Sequence, residues 1–192
     1  TYTYDACNRL LSEISKNAAG TTVQSYTYTL DANGNRITCE ELSRTIAYSY
    51  DALSRLTGET VTTGADITVT AYTYDANSNS TSKTVNGVVT AYTYNNLNQV
   101  TQAGDITYTY SDAGNLVSQN QSGILIASYT YDSRNRMIAA TTYGISGTLT
   151  ETYNYDALGN RIAKTTDGVK TEYVIDYSTG YAQVLRATTA GS

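Results

Sequence analysis

The groups in this chain best placed for chemistry are its recurring carboxylates. Asp5, Asp51, Asp75, Asp132 and Asp156 each follow a Tyr-x-Tyr triplet directly. Paired carboxylates at a defined separation can serve glycoside hydrolysis as acid and base or nucleophile. Nothing else in the chain completes such a site. With no histidine, the commonest general base and commonest metal ligand are absent. A Ser/His/Asp or Cys/His pairing is therefore impossible within these residues. Asp31-Ala-Asn33-Gly-Asn35 and Asp75-Ala-Asn77-Ser-Asn79 echo the start of a calcium loop, but Leu42 and Asn86 stand where its bidentate glutamate belongs. Cys7 and Cys39 are too few for a zinc site or a disulfide framework. They bridge only if their Cα atoms come within about 7 Å, which the sequence leaves open. The same aspartates suit a plainer task, since an Asp side chain accepts backbone N–H bonds two residues on and starts a turn. The sequence accordingly predicts no catalytic residue, no metal and no cofactor.

The elements that position these aspartates come from one phrase, Tyr-x-Tyr-Asp-Ala-x-(Gly)-Asn-Arg-Leu/Ile. It occurs nine times, starting at Tyr2, Tyr28, Tyr48, Tyr72, Tyr92, Tyr108, Tyr129, Tyr153 and Tyr173. Sixteen of the twenty tyrosines lie in it. A period of roughly 20 residues marks an array of one stacked supersecondary unit, which buries its apolar face against its copies. Side chains in a strand alternate with period 2, so each Tyr pair shares a face: Tyr2/Tyr4, Tyr48/Tyr50, Tyr129/Tyr131, Tyr153/Tyr155. The residue between them, usually Thr, faces the other way. After the Asp turn, in which Gly159 takes a left-handed position, an arginine and an aliphatic residue open a second strand. Arg9, Arg55, Arg136 and Arg161 are the clearest cases. Asn86-Gly87 and Asp167-Gly168 are two-residue hairpin signals. The prediction is an all-β protein, a spiralling antiparallel β-sheet of repeat hairpins with Tyr ladders on one face, forming a single domain over residues 1–192.

The phrase YDALGNRI, with YDANGNRI and YDALSRL variants, resembles the YD-repeat or RHS-repeat family over essentially the whole chain. That resemblance implies a β-shell wall, enclosing a C-terminal toxin in bacterial members and serving adhesion in the animal relatives called teneurins. The tail from Tyr173 to Leu185 is similar to the stretch preceding the family's core domain, where its autoproteolysis resides; the Asp-Pro motifs of that step need a proline this chain lacks. Leu30 replaces the second Tyr, Ser80 an arginine, Ser111 an aspartate, and Asn95 with Gln99 replace both Asp and Arg. A turn tolerates such drift; a catalytic array does not. A closed shell in the family takes several-fold more repeats, so this segment implies an open wall.

Expected partners follow. A net charge of −5 lacks the basic footprint of nucleic-acid binding. No apolar run reaches the ~20 residues of a membrane span. The leading expectation is a non-enzymatic wall segment of a secreted or cell-surface protein, enclosing a cargo or toxin polypeptide. A self-assembling filament or sheath subunit is one alternative, and a carbohydrate-binding or adhesion module using exposed Tyr is another. Unpaired edge strands template pairing, so further repeats or other copies are the expected partners at Thr1–Arg9 and Tyr173–Leu185. The chain opens inside a repeat without an initiating Met, and its tail, Thr188 to Ser192, carries no charged or proline-bearing cap.

Overall fold

The computed structural model describes residues 1–178 and 180–190. Thr179, Gly191 and Ser192 lie outside the described residues, and with them part of the tail expected to lack a cap. Among the described residues there is no helix, and more than half are strand. They fold as two compact units, Thr1–Gln99 and the residues from Val100 onward.

The first unit begins with β1 (Tyr2–Tyr4), β2 (Leu10–Lys16) and β3 (Thr22–Leu30). β4 (Arg36–Glu41), β5 (Thr45–Tyr50) and β6 (Leu56–Thr63) follow. It ends with β7 (Asp66–Tyr74), β8 (Ser80–Val85) and β9 (Val88–Tyr94). The second unit contains β10 (Val100–Ala103), β11 (Ile106–Tyr110), β12 (Leu116–Gln121) and β13 (Ile124–Tyr131). Then come β14 (Met137–Gly144), β15 (Gly147–Tyr155), β16 (Arg161–Thr166), β17 (Val169–Asp176) and β18 (Gln183–Thr189). Within each unit every strand pairs antiparallel with the next in sequence. Each unit is a meander.

The Tyr alternation is as the sequence predicts. Tyr48 and Tyr50 are half-buried around exposed Ser49; Tyr72 and Tyr74 around exposed Thr73; Tyr153 and Tyr155 around exposed Asn154. Within each unit, among the described residues, no strand packs across a face of that unit's own meander, so deep burial is scarce. Among the described residues only Cys39, Ile46, Thr70, Ala127 and Ala163 are buried, and no side chain is fully sealed from solvent. Stability must therefore come largely from contacts along the sheet: cross-strand pairs and the polar fastenings at the turns.

Candidate functional site

Among the described residues, eight turns that follow a Tyr strand share one geometry, counted from the residue after that strand. That residue's N–H donates to the carbonyl of the fifth residue, and the fourth residue's N–H donates to the first carbonyl, as in Asp51 N→Arg55 O at 3.0 Å and Ser54 N→Asp51 O at 3.0 Å. The fourth residue always has positive φ: Asn8, Gly34, Ser54, Ser78, Asn98, Gly114, Asn135 and Gly159. This is a type I turn closed by a left-handed residue and a bulge. The register shift between Ser49 and Tyr50 is one of its traces. Gly159, at φ 94°, occupies a backbone conformation that costs a side-chain-bearing residue strain.

The first residue's side chain ties the turn together. Asp51 Oδ1 accepts the N–H groups of Leu53 (2.9 Å) and Arg55 (3.0 Å), and its Oδ2 accepts Arg55 Nε at 2.7 Å. Asp132 repeats this with Arg134 and Arg136, and Asp5 with Cys7 and Arg9. In three further turns asparagine stands at the fifth position and donates Nδ2 to the carboxylate: Asn35 to Asp31, Asn79 to Asp75, Asn160 to Asp156. Asn95 keeps the pattern with an amide, accepting the N–H groups of Leu97 and Gln99.

These bonds set the carboxylate electrostatics. The backbone N–H of the fifth residue, then its guanidinium, holds Asp5, Asp51 and Asp132 below the usual carboxylate range, and the side-chain amides of Asn35 and Asn79 lead the same effect on Asp31 and Asp75. The Tyr177 hydroxyl donates to Asp156 Oδ2 and, with Asn160, lowers that pKa to about 2. The opposite case is Tyr153, raised to about 12 by burial and by its hydrogen bond to Glu151.

The fifth residue also reaches the following turn. Arg9, Arg55 and Arg136 donate Nη1 to the carbonyls of Asp31 (3.2 Å), Asp75 (3.1 Å) and Asp156 (3.0 Å). Asparagines in that position reach the side chain of the next left-handed residue instead: Asn35 to Ser54, Asn79 to Asn98, Asn115 to Asn135. Arg55 and Arg136 additionally lie over the Tyr74 and Tyr155 rings, 4.7 and 4.9 Å from their centroids.

A third fastening uses the second Tyr of five pairs. Paired residues between β6 and β7 stop at Gly58 and Ala71, short of Leu56. The Tyr74 hydroxyl fills the gap, donating to Leu56 O at 2.6 Å. Tyr50, Tyr94, Tyr110 and Tyr155 donate likewise to the carbonyls of Arg36, Ser80, Val100 and Met137. The opposite hairpin ends are knitted too. Asn86-Gly87, Ser122-Gly123 and Asp167-Gly168 have two successive positive φ values, and Asn86 and Asp167 accept the N–H groups of Val69 and Thr150.

The residues expected from the sequence are brought together, with one correction. Arg9, Arg55 and Arg136 do not open a strand: they are the fifth turn residue, and the strands begin at Leu10, Leu56 and Met137. Arg161, and Arg36 with it, is the sixth residue and does begin a strand. Arg161 lies over the Tyr153 and Tyr173 rings at 5.7 and 5.5 Å. The Asn-Arg dipeptide thus occupies two non-equivalent positions. Counting from the first turn residue reveals this, because five residues separate the Tyr strand from the next in all eight of these turns. The tyrosine hydroxyl bonds had no sequence signal beyond the repetition itself.

Asp31 and Asp75, the heads of the calcium-like runs, spend both oxygens on their own turns. Cys7 is exposed and Cys39 buried, and both are free thiols.

Within each unit, hairpins fastened through turns and tyrosines in this way are the structure of a repeat protein. Residues 36–178 match the Teneurin YD-shell family, and the chain belongs to it. No curated protein sequence matches. Among solved structures, that of TcdB2-TccC3 superposes with a TM-score of 0.68 at 18% identity, over 95% of this chain and 12% of that one. TcdB2-TccC3-Cdc42 gives a TM-score of 0.65 at 18% identity over the same shares. At that identity the likeness is one of fold, and the chain spans about 12% of the chains it matches. It is a structural repeat segment of the YD-shell kind.

Proposed function

We propose that these 192 residues are one repetitive domain of about nine repeats, forming part of a non-enzymatic β-shell wall. The wall belongs to a secreted or surface protein and encloses a cargo or toxin polypeptide. The observation carrying this reading is that the repeat carboxylates are spent on turn geometry and the fifth side chains on joining turns. Tyr2, Tyr4, Tyr48, Tyr50, Tyr129, Tyr131, Tyr153 and Tyr155 then act as ladder residues. Asp5, Asp51, Asp132 and Asp156 act as turn formers, Gly159 as a left-handed corner, and Arg9, Arg55, Arg136 and Arg161 as clamps. Carbohydrate stacking is less supported, because second-Tyr hydroxyls such as those of Tyr74 and Tyr155 are engaged within the sheet. Among the described residues no helix is long and apolar enough to cross a membrane.

Protease protection tests the reading. A natural polypeptide containing this segment should retain a protease-resistant internal fragment, released when Asp51→Ala and Asp132→Ala loosen the wall. Complete digestion of everything but the repeats, with or without those changes, contradicts enclosure.

A further inference from the structure

The sixth residue, the first of the strand after each turn, is uncharged and half-buried in six of the eight cases: Leu10, Leu56, Ser80, Val100, Leu116 and Met137. In the other two it is arginine, Arg36 and Arg161, and there it is exposed. Their strands, β4 and β16, pair on both sides, so neither arginine stands at a sheet edge. Arg161 lies over two rings, 5.7 Å from the Tyr153 centroid and 5.5 Å from that of Tyr173. Such contact uses the faces of a guanidinium and leaves the N–H donors of its plane pointing outward. Among the described residues those donors have no hydrogen bond and no ion pair. The carboxylates of the adjoining elements are committed elsewhere. Glu151 holds Lys164 and the Tyr153 hydroxyl, Asp156 its own turn and the Tyr177 hydroxyl, and Asp176 the Ser178 N–H. Arg161 also lines a cavity of about 220 Å³ with Asn160, Tyr173, Ile175, Ala182 and Val184.

We propose that this cavity is a seat for an acidic side chain. Arg161 takes the carboxylate of a glutamate through two parallel N–H bonds, and the glutamate methylenes rest on Ile175 and Val184. The glutamate belongs to a polypeptide lying on the Tyr face. The proposal rests on the wall reading for that polypeptide and narrows it to a chain with acidic side chains. Charge selects the occupant, because a guanidinium without a counter-ion prefers an anion and its planar fork matches a carboxylate. Size selects it too. Pockets for drug-sized ligands start near about 300 Å³, so this one suits a single side chain. Its three aliphatic walls disfavour a hydrated phosphate.

The test is an NMR titration of the full chain that follows the Nε–H signals of Arg161 and Arg36. The probes are N-acetylglutamic acid N-methylamide, its glutamine counterpart and inorganic phosphate. The capped glutamate should move the Arg161 signal saturably, and move Arg36, which lies over Tyr28, much less. The glutamine probe should bind roughly tenfold more weakly, the scale of losing a charged hydrogen bond. Arg161→Lys, read through the Ile175 and Val184 amides, should weaken the capped glutamate similarly, since an ammonium keeps the charge without the fork. A strand-length peptide carrying one glutamate should bind more tightly than the capped residue. An unmoved Arg161 signal overturns the proposal, as does an equal response to glutamine or phosphate, at Arg36, or in Arg161→Lys. Equal affinity of peptide and capped residue would make a free acid the ligand and overturns the polypeptide occupant. None of these results reads enclosure of a cargo, which the protease experiment reads separately.

Discussion

Replacing Tyr74 with phenylalanine removes one hydroxyl and leaves the ring. The structure gives that hydroxyl one bond, a part-buried 2.6 Å contact to Leu56 O beyond the end of the β6–β7 pairing. A net hydrogen bond of this kind contributes about 1 kcal/mol. For a chain of this size such a loss lowers the thermal midpoint by roughly 2–4 °C. Tyr50 and Tyr94 hold separate carbonyls, those of Arg36 and Ser80. With no shared partner the three losses should add, so Tyr50→Phe, Tyr74→Phe and Tyr94→Phe together should cost about 3 kcal/mol. The converse is Leu30→Tyr, which supplies the missing hydroxyl opposite Leu10 and should raise the midpoint. Thermal unfolding followed by circular dichroism at neutral pH reads the parent and the three variants. An unchanged midpoint in the triple variant would refute the claim that these hydroxyls complete the sheet, since ring packing is untouched.

Other consequences follow from the turns. Arg55→Asn should destabilise less than Arg55→Ala in urea titration, because asparagine at that position still satisfies Asp51 and can reach Ser78 as Asn35 reaches Ser54. Gly159→Ala should destabilise by about 1 kcal/mol or more through its φ of 94°, and Gly159→Asn by less; a comparison of melting midpoints checks the order. Asp156 has a folded-state pKa of about 2, below its ordinary 3.8. Its contribution is therefore complete above pH 3.8 and is lost as pH falls toward 2. Carboxylate NMR titration should show Tyr177→Phe moving that pKa upward, and no movement would remove the hydroxyl as its leading cause. At the other extreme Tyr153, raised from 10.0 to about 12, favours the folded state below pH 10 and loses that contribution as pH rises toward 12.

Much of this was legible in the residues. Tyr-x-Tyr dictates one shared face because strand side chains alternate, and Asp followed by Ala and a left-handed residue dictates a turn. The arginine was misread for a physical reason. Asn-Arg looks like one motif, but in Asp132–Arg136 the Asn supplies the left-handed corner and the Arg closes the turn. In Asp156–Arg161 glycine takes the corner, Asn closes the turn, and Arg begins the strand. Backbone conformation, not the dipeptide, decides which side chain meets the aspartate. The tyrosine hydroxyl contacts were hidden for another reason. They depend on where the pairing between successive hairpins stops, as at Gly58 and Ala71 between β6 and β7, a three-dimensional consequence that no single repeat displays.

The central claim is that repeated hairpins build a wall around a polypeptide. Electron cryomicroscopy of a natural protein containing these residues tests it most directly. The account predicts a hollow shell of antiparallel hairpins, with the aspartate turns following one another along the wall and density for a chain inside. Open fibres, or a shell-less particle in which these residues surround nothing, would contradict it.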